Sequence, residues 1–176
     1  EPVAIDRGLS PASFSFNVAA GRCPACAGEG FETVEMQFLA DVRLLCPLCH
    51  GRRFQPDVLA VRHRGCSVAD LLEATVTEVR ERFADDAAIQ RALVPVERLG
   101  LGYLRLGQPL STLSGGEAQR LKLARALGQR NAAALLVLDE PSAGLHVDEV
   151  ASLIGALRQL VAAGASVIAV DHDLDV

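Results

Sequence analysis

The 176-residue sequence contains no apolar run approaching the ~20 residues that cross a bilayer, so no membrane-spanning helix is expected. Its first residues, EPVAIDRGLSPASFSF, lack the basic start and apolar stretch of a secretory signal. A cytoplasmic protein is the expectation. Charged residues are sparse, at 22% against 50% hydrophobic, which excludes wholesale disorder and allows one packed domain with a small satellite. The chain also lacks an excess of positive charge: a net −5 argues against a protein that coats nucleic acid with its whole surface. Finally, no stretch reads G-x-x-x-x-G-K-S/T, the loop whose backbone cradles nucleotide phosphates. GLGYLRLG (Gly100–Gly107) has the glycines but no Lys followed by Ser or Thr.

The charge that is present is uneven. Arg43 to Arg64 holds five Arg against one acid, Asp57. Arg98 to Arg130 holds five Arg and one Lys against one acid, Glu117. Two readings stay open, a local basic face for phosphates and an ordinary solvated surface.

Four of the five cysteines, Cys23, Cys26, Cys46 and Cys49, are spaced C-x2-C, nineteen residues, C-x2-C. Two chelating pairs at this spacing point to a tetrahedral thiolate cage for structural Zn²⁺. The flanks repeat as well: CPACAGEGF (Cys23–Phe31) and CPLCHGRRF (Cys46–Phe54) share C-P-x-C-x-G-x-x-F. Pro shapes each turn, and Gly lets backbone N–H groups approach sulfur. Disulfides are the alternative, disfavoured in a reducing compartment. Chaperone-type C-x-x-C-x-G modules carry four such repeats, where this chain has two. Four thiolates complete the site without His50, and Cys66 reads as a small buried residue. We delimit a loose lead-in, 1–13, and a zinc module, 14–66, with a strand-like run over Glu32–Leu39. The module's Arg43, Arg52, Arg53, Arg62 and Arg64 are candidates for phosphate contact.

Beyond the cysteines the periodicity becomes helical. Val68, Leu71, Leu72, Val76, Val79 and Phe83 predict one helix capped by Ser67, and a second is expected over Ala87–Leu99, interrupted near Pro95. ALLVLD (Ala134–Asp139) and ASVIAV (Ala165–Val170) are continuous apolar runs, expected as strands buried on both faces. Between them Val150, Leu153, Ile154, Leu157, Leu160 and Val161 fall on one helical face, stopped by Gly164. Strand, helix and strand in this order predict a right-handed βαβ unit of a parallel sheet, and hence an α/β fold.

LSGGEAQRLKLA (Leu113–Ala124) opens a helix with two glycines. Ser114 and Glu117 form the S-x-x-E of a capping box. A capping box does not need Gly115 and Gly116, each of which costs roughly 1 kcal/mol inside a helix. At the first turn they leave bare N–H groups at the positive end of the helix dipole, a docking place for an anion such as phosphate.

This stretch resembles the signature motif of ABC-type ATPases. LLVLDEP (Leu135–Pro141) resembles Walker B, SAGLH (Ser142–His146) the D-loop, and VDHD (Val170–Asp173) the switch-histidine motif. The resemblance implies ATP and Mg²⁺ as cofactors. It makes Ser114, Gly115, Gly116 and Glu117 nucleotide-contacting residues and sets Asp139 to hold Mg²⁺ through water. Glu140 would polarise the attacking water, and His172 would sense the γ-phosphate. For Asp139 and Glu140 a strand-end acidic pair capping the next helix is the plainer alternative. The fold implied is a partial ABC cassette: a zinc module, a helical signature subdomain over 67–130 (signature 113–124), and the Walker B, D-loop and switch-histidine part over 131–176. With no Walker A, the chain is expected to begin inside a cassette and, alone, to turn over no ATP. In this family the signature closes over nucleotide held by the opposite cassette.

Zinc and ATPase motifs in this order, with FSFNVAAGRCPACAGEG, VEMQFLADV and LGLGYLRLGQPLSTLSGGEAQRLKLA, resemble the C-terminal part of the UvrA family of DNA-repair ATPases. That resemblance covers about Phe14 to Val176. It implies nucleotide excision repair, binding to damaged duplex DNA, homodimerisation, a UvrB-type partner and no membrane. Ala143 stands where many relatives have Thr, and Asp171 and Asp173 where Glu and Asn are common. These departures leave room for a UvrA-like paralogue, for example in drug self-resistance. A non-catalytic zinc-bearing module that binds DNA or protein is the alternative from another class.

Overall fold

The computed structural model describes residues 4, 6–34, 36, 42–128 and 135–172, and these divide into two compact units, Glu1–Leu72 and Glu73–Val176.

In the first unit, where a loose lead-in is expected, Pro11–Phe14 forms a 3-10 turn with Ser13 buried, and Arg7 pairs with Asp57 at 2.7 Å. Two short strands follow, β1 (Phe31–Val34) and β2 (Val42–Leu45), paired antiparallel with Phe31 opposite Leu45 and Val34 opposite Val42. The expected strand over Glu32–Leu39 is present as far as Val34; residues 35 and 37–39 lie outside the described residues. Helix α1 (Pro56–Ala60) opens on a proline, whose fixed φ suits a first turn, and buries Val58. Helix α2 (Val68–Glu73) is started by a reciprocal pair. Ser67 N donates to Asp70 Oδ2 at 2.8 Å, and Asp70 N donates to Ser67 Oγ at 3.3 Å.

The second unit contains α3 (Val76–Arg82), α4 (Ala87–Val96), α5 (Gly115–Gly128), β3 (Leu135–Asp139), α6 (Val147–Ala162) and β4 (Ser166–Val170). The single helix expected over Val68–Phe83 is two. The chain breaks at Ala74–Thr75, where Thr75 N donates to Glu78 Oε2 at 2.7 Å and Glu78 N to Thr75 Oγ1 at 3.2 Å. This capping box starts α3 afresh although the apolar spacing runs on unbroken. The second expected helix is α4, capped by Asp86, whose carboxylate accepts from Ala88 N and Ile89 N. It runs one residue past Pro95 and then widens into a turn, Glu97–Leu101. Gly100 in that turn has φ 72°, which glycine adopts without strain, and a Cβ there would lie 2.6 Å from Glu149 Oε1, so any side chain would have to displace Glu149.

Strands β3 and β4 pair in parallel, Leu135 opposite Ser166 through Asp139 opposite Val170, with α6 as the crossover: the expected βαβ unit. Helix α6 stops where Gly164 N donates to Val161 O and Ala165 N to Leu160 O, both at 3.0 Å, which satisfies carbonyls left free at a helix end. Leu99, Leu123, Leu138, Leu153, Leu157 and Leu160 form the core beneath the sheet. On α6, Ile154 is half-buried and Val161 exposed, while Ala156, three residues past Leu153, takes the inner position. The strands are not buried on both faces. Leu135, Val137, Ile168 and Val170 are 52–66% exposed, because among the described residues α5 and α6 cover one face of the sheet and nothing covers the other. No helix among the described residues is long and apolar enough to cross a membrane.

Candidate functional site

In the first unit the four cysteines converge. All four Sγ atoms lie within 4.8 Å of one another, and the side chains are buried. Cys23 and Cys46 are 3.9 Å apart at sulfur, Cys26 and Cys49 3.6 Å. A disulfide would need ~2.05 Å. A tetrahedron with Zn–S bonds of ~2.3 Å has edges of ~3.8 Å, which these separations bracket. The donor set therefore fits Zn²⁺ with no open position. His50, beside Cys49, is exposed and is not one of the four ligand candidates. Cys66 is half-buried rather than buried.

The repeated motif folds the same way twice. Ala27 and His50 have φ 49° and 51°, Gly28 and Gly51 88° and 83°, Gly30 and Arg53 86° and 72°. Glu29 N donates to Cys26 O and Arg52 N to Cys49 O, each at 2.9 Å, closing the same turn in each copy. Gly30 N points at Cys26 Sγ, 3.2 Å away, a donor that steadies negative sulfur. Donation from the Cys49 backbone lowers the Cys46 thiol to about 7, whereas burial pushes the Cys49 thiol up to about 12. A bound dication would draw off those protons.

The arginines around the cage divide. Arg53 is structural: its Nε donates to Gly28 O at 2.7 Å and its guanidinium lies 3.7 Å over the Phe16 ring. Phe16 in turn meets the buried Phe54 edge to face at 6.3 Å. Arg43 lies over Phe31, and Arg62 binds Gly65 O and Asp70. Arg52 is exposed on the rim.

In the second unit, Ser114 N donates to Glu117 Oε2 at 2.6 Å and Glu117 N to Ser114 Oγ at 3.2 Å, so the capping box forms. Ser114 and Gly115 are exposed, and a Cβ on Gly115 would meet nothing within 4 Å. The Gly115 and Gly116 amides at this first turn have no intrahelical acceptor. At Gly116 a Cβ would lie 3.4 Å from Arg120 Nη1 and 3.7 Å from Ala143 O, ordinary contact distances, so this helix start lies against the loop after β3.

Asp139 ends β3 and is exposed, its N–H donating to Gln119 Oε1 at 3.3 Å. Glu140 follows with φ 46°, unusual for a residue with a side chain, and donates its N–H to Val170 O at 2.7 Å. Its Oε1 lies 3.1 Å from His172 Nε2. Glu140 and His172 thus share one sheet edge with Asp139. Asp173 of the same motif lies outside the described residues.

Three neighbours of the candidate residues make contacts that the sequence does not reveal. Arg120, buried within the signature stretch, donates through Nη1 to Ala143 O at 3.2 Å and Pro141 O at 3.4 Å, joining α5 to the loop after β3. Its Nε is buried with no partner. Asp171 accepts from Ser142 N at 3.0 Å, tying the same loop to β4. Tyr103 OH donates to Glu117 Oε1. Arg120 and Asp171 sit inside motifs already read, but a local motif does not show which distant backbone they reach.

The profile of the family described as ABC transporter matches residues 51–143. The chain is 47% identical to UvrABC system protein A of Methanothermobacter thermautotrophicus over 99% of its length, and 48% identical to the Aquifex aeolicus and Thermus thermophilus proteins over the same share. It spans 18–19% of those relatives' own length. Among solved structures it is similar to UvrA2 of Deinococcus radiodurans, with a TM-score of 0.87 and 50% identity over 98% of this chain and 21% of that one.

Proposed function

Because the chain belongs to the family of ATP-binding cassettes described as ABC transporter, we propose that it is part of a UvrA-type ATPase. In this reading it couples ATP binding and hydrolysis to recognition of damaged duplex DNA in nucleotide excision repair. One observation carries the reading: a four-cysteine cage and a glycine-opened helix beside an acid-tipped βαβ unit occur in one chain, within a match to UvrA2 of TM-score 0.87.

Each residue then has a task. Ser114, Gly115 and Gly116 offer a hydroxyl and bare amides to nucleotide phosphate, and Glu117 keeps the helix start in shape. Asp139 is placed to hold Mg²⁺ through water; Mg²⁺, when bound, neutralises phosphate charge. Glu140 accepts a proton from the attacking water, and His172 steadies the Glu140 carboxylate and meets the γ-phosphate. Cys23, Cys26, Cys46 and Cys49 hold a structural Zn²⁺ beside Arg52, which is free to meet DNA phosphate. A phosphate-cradling loop must come from polypeptide other than these residues, since none of them reads G-x-x-x-x-G-K-S/T. A homodimer and a UvrB-type partner follow from the same reading.

Replacing Glu140 with Gln in the full-length protein should abolish ATP hydrolysis and spare nucleotide binding; near-normal turnover would remove the base assignment. A second reading, a UvrA-like paralogue with a separate task such as drug self-resistance, rests on Ala143, Asp171 and Asp173 standing where the family commonly has other residues. Rescue of ultraviolet survival in a strain lacking its own UvrA separates the two.

A further inference from the structure

Glu117 poses a problem for any phosphate site at the start of α5. It is an acid in the first turn, one helical step from Gly115 and Gly116, where an anion would dock. A carboxylate free to swing toward that place would repel the ligand.

Both of its oxygens are engaged. Oε2 accepts from Ser114 N at 2.6 Å, and Oε1 accepts from Tyr103 OH. The first bond belongs to the capping box and comes from the helix itself. The second comes from outside: Tyr103 follows the wide turn Glu97–Leu101 and is 59% exposed, so packing does not explain the side chain. The capping bond alone fixes one oxygen and leaves the carboxylate able to pivot about it. The phenol fixes the other.

We propose that Tyr103 is a positioning residue that fixes the second oxygen of the Glu117 carboxylate, so that the charge cannot pivot across the anion-docking amides of Gly115 and Gly116. This inference rests on the nucleotide-site reading above. The contact also holds Glu117 below the usual carboxylate range, with the Tyr103 hydroxyl as the largest cause and the Ser114 amide next, so the group stays ionised wherever ATP would bind. Arg120, the next residue on that side of the helix, adds a smaller pull in the same direction.

The test is Tyr103→Phe in the full-length protein, which removes one oxygen atom and keeps the ring. The expected result is a rise in KM for ATP of about fivefold at low salt, the size of one like-charge contact near water, with kcat little changed. Near 1 M salt, where the screening length is ~3 Å, the rise should fall below about twofold. Introducing Glu117→Gln should uncouple the pair: with Gln at 117, Tyr103→Phe should change KM by less than about twofold. An unchanged KM in Tyr103→Phe overturns the inference, as does a rise that ignores salt or persists in the Glu117→Gln background. A parent protein with no ATP turnover would instead overturn the nucleotide-site reading itself.

Discussion

His172 Nε2 and Glu140 Oε1 stand 3.1 Å apart across the ends of β4 and β3, with both side chains at least half exposed. A contact this open contributes little stability. In the proposed reading its value lies in holding the Glu140 carboxylate, the proposed proton acceptor, at one orientation, on a backbone residue already in an unusual conformation. Glu140→Gln should therefore lower ATP turnover in the full-length protein by at least ~100-fold, the range of a lost general base, with nucleotide affinity within about threefold. Turnover by stopped assay and affinity by equilibrium binding check the two halves.

The cysteine cage makes a second expectation. Replacing Cys23 and Cys26 with Ser removes one chelating pair and should release the metal. Elemental analysis should find zinc in the parent and none in the double variant. The first unit has few large buried side chains, so hydrogen exchange should rise across residues 14–66 and stay unchanged in the βαβ unit.

Arg52 and Arg53 are adjacent but should behave differently. Arg52→Ala removes an exposed charge and should lower the salt-dependence slope of DNA binding by about 1 with the fold intact. Arg53→Ala removes the bond to Gly28 O and the stack on Phe16, so it should loosen the cage and weaken zinc retention. Titration at several salt concentrations, with zinc content measured on the same samples, separates them.

In the second unit Leu153 is fully buried in the core under the sheet. Leu153→Ala should cost about 2–5 kcal/mol, the range for a large-to-small change in a packed core. Denaturant unfolding reads the loss, and zinc content should not change.

The Ser67–Asp70 pair gives a pH dependence. The Asp70 carboxyl is held below its ordinary value by the Ser67 amide first, then the Ser67 hydroxyl and Arg62. Because the folded form favours the charged state, this stabilisation is complete at neutral pH. It fades as pH falls below about 4, through the folded value. Asp70→Asn should lower the melting temperature at pH 7, and the gap to the parent should narrow as the pH falls below about 4.

Local chemistry was legible in the sequence, and long-range packing was not. The C-P-x-C-x-G-x-x-F repeat announces two matching turns because proline, glycine and cysteine act within nine residues. The βαβ unit is legible for a similar reason, since a five-residue apolar strand and a sixteen-residue amphipathic helix carry distinct periods. The break at Ala74–Thr75 was missed because apolar spacing continued across it, although Thr75 and Glu78 spell a capping box. The open face of β3 was missed because a continuous apolar run does not say how many layers will cover it. Arg53 reaching Gly28, and Arg120 reaching Ala143, join residues 25 and 23 apart in sequence, where no local rule applies.

The matched backbone of the two cysteine turns gives the cage an approximate dyad. Neither half can saturate a tetrahedral ion, so whichever grips metal first holds it incompletely until its twin arrives. The nineteen residues between Cys26 and Cys46 act as the tether that sets the effective concentration of the twin. For a cage that takes Zn²⁺ as proposed, capture of the ion would be a matter of loop closure, and lengthening that tether should slow metallation without touching a ligand.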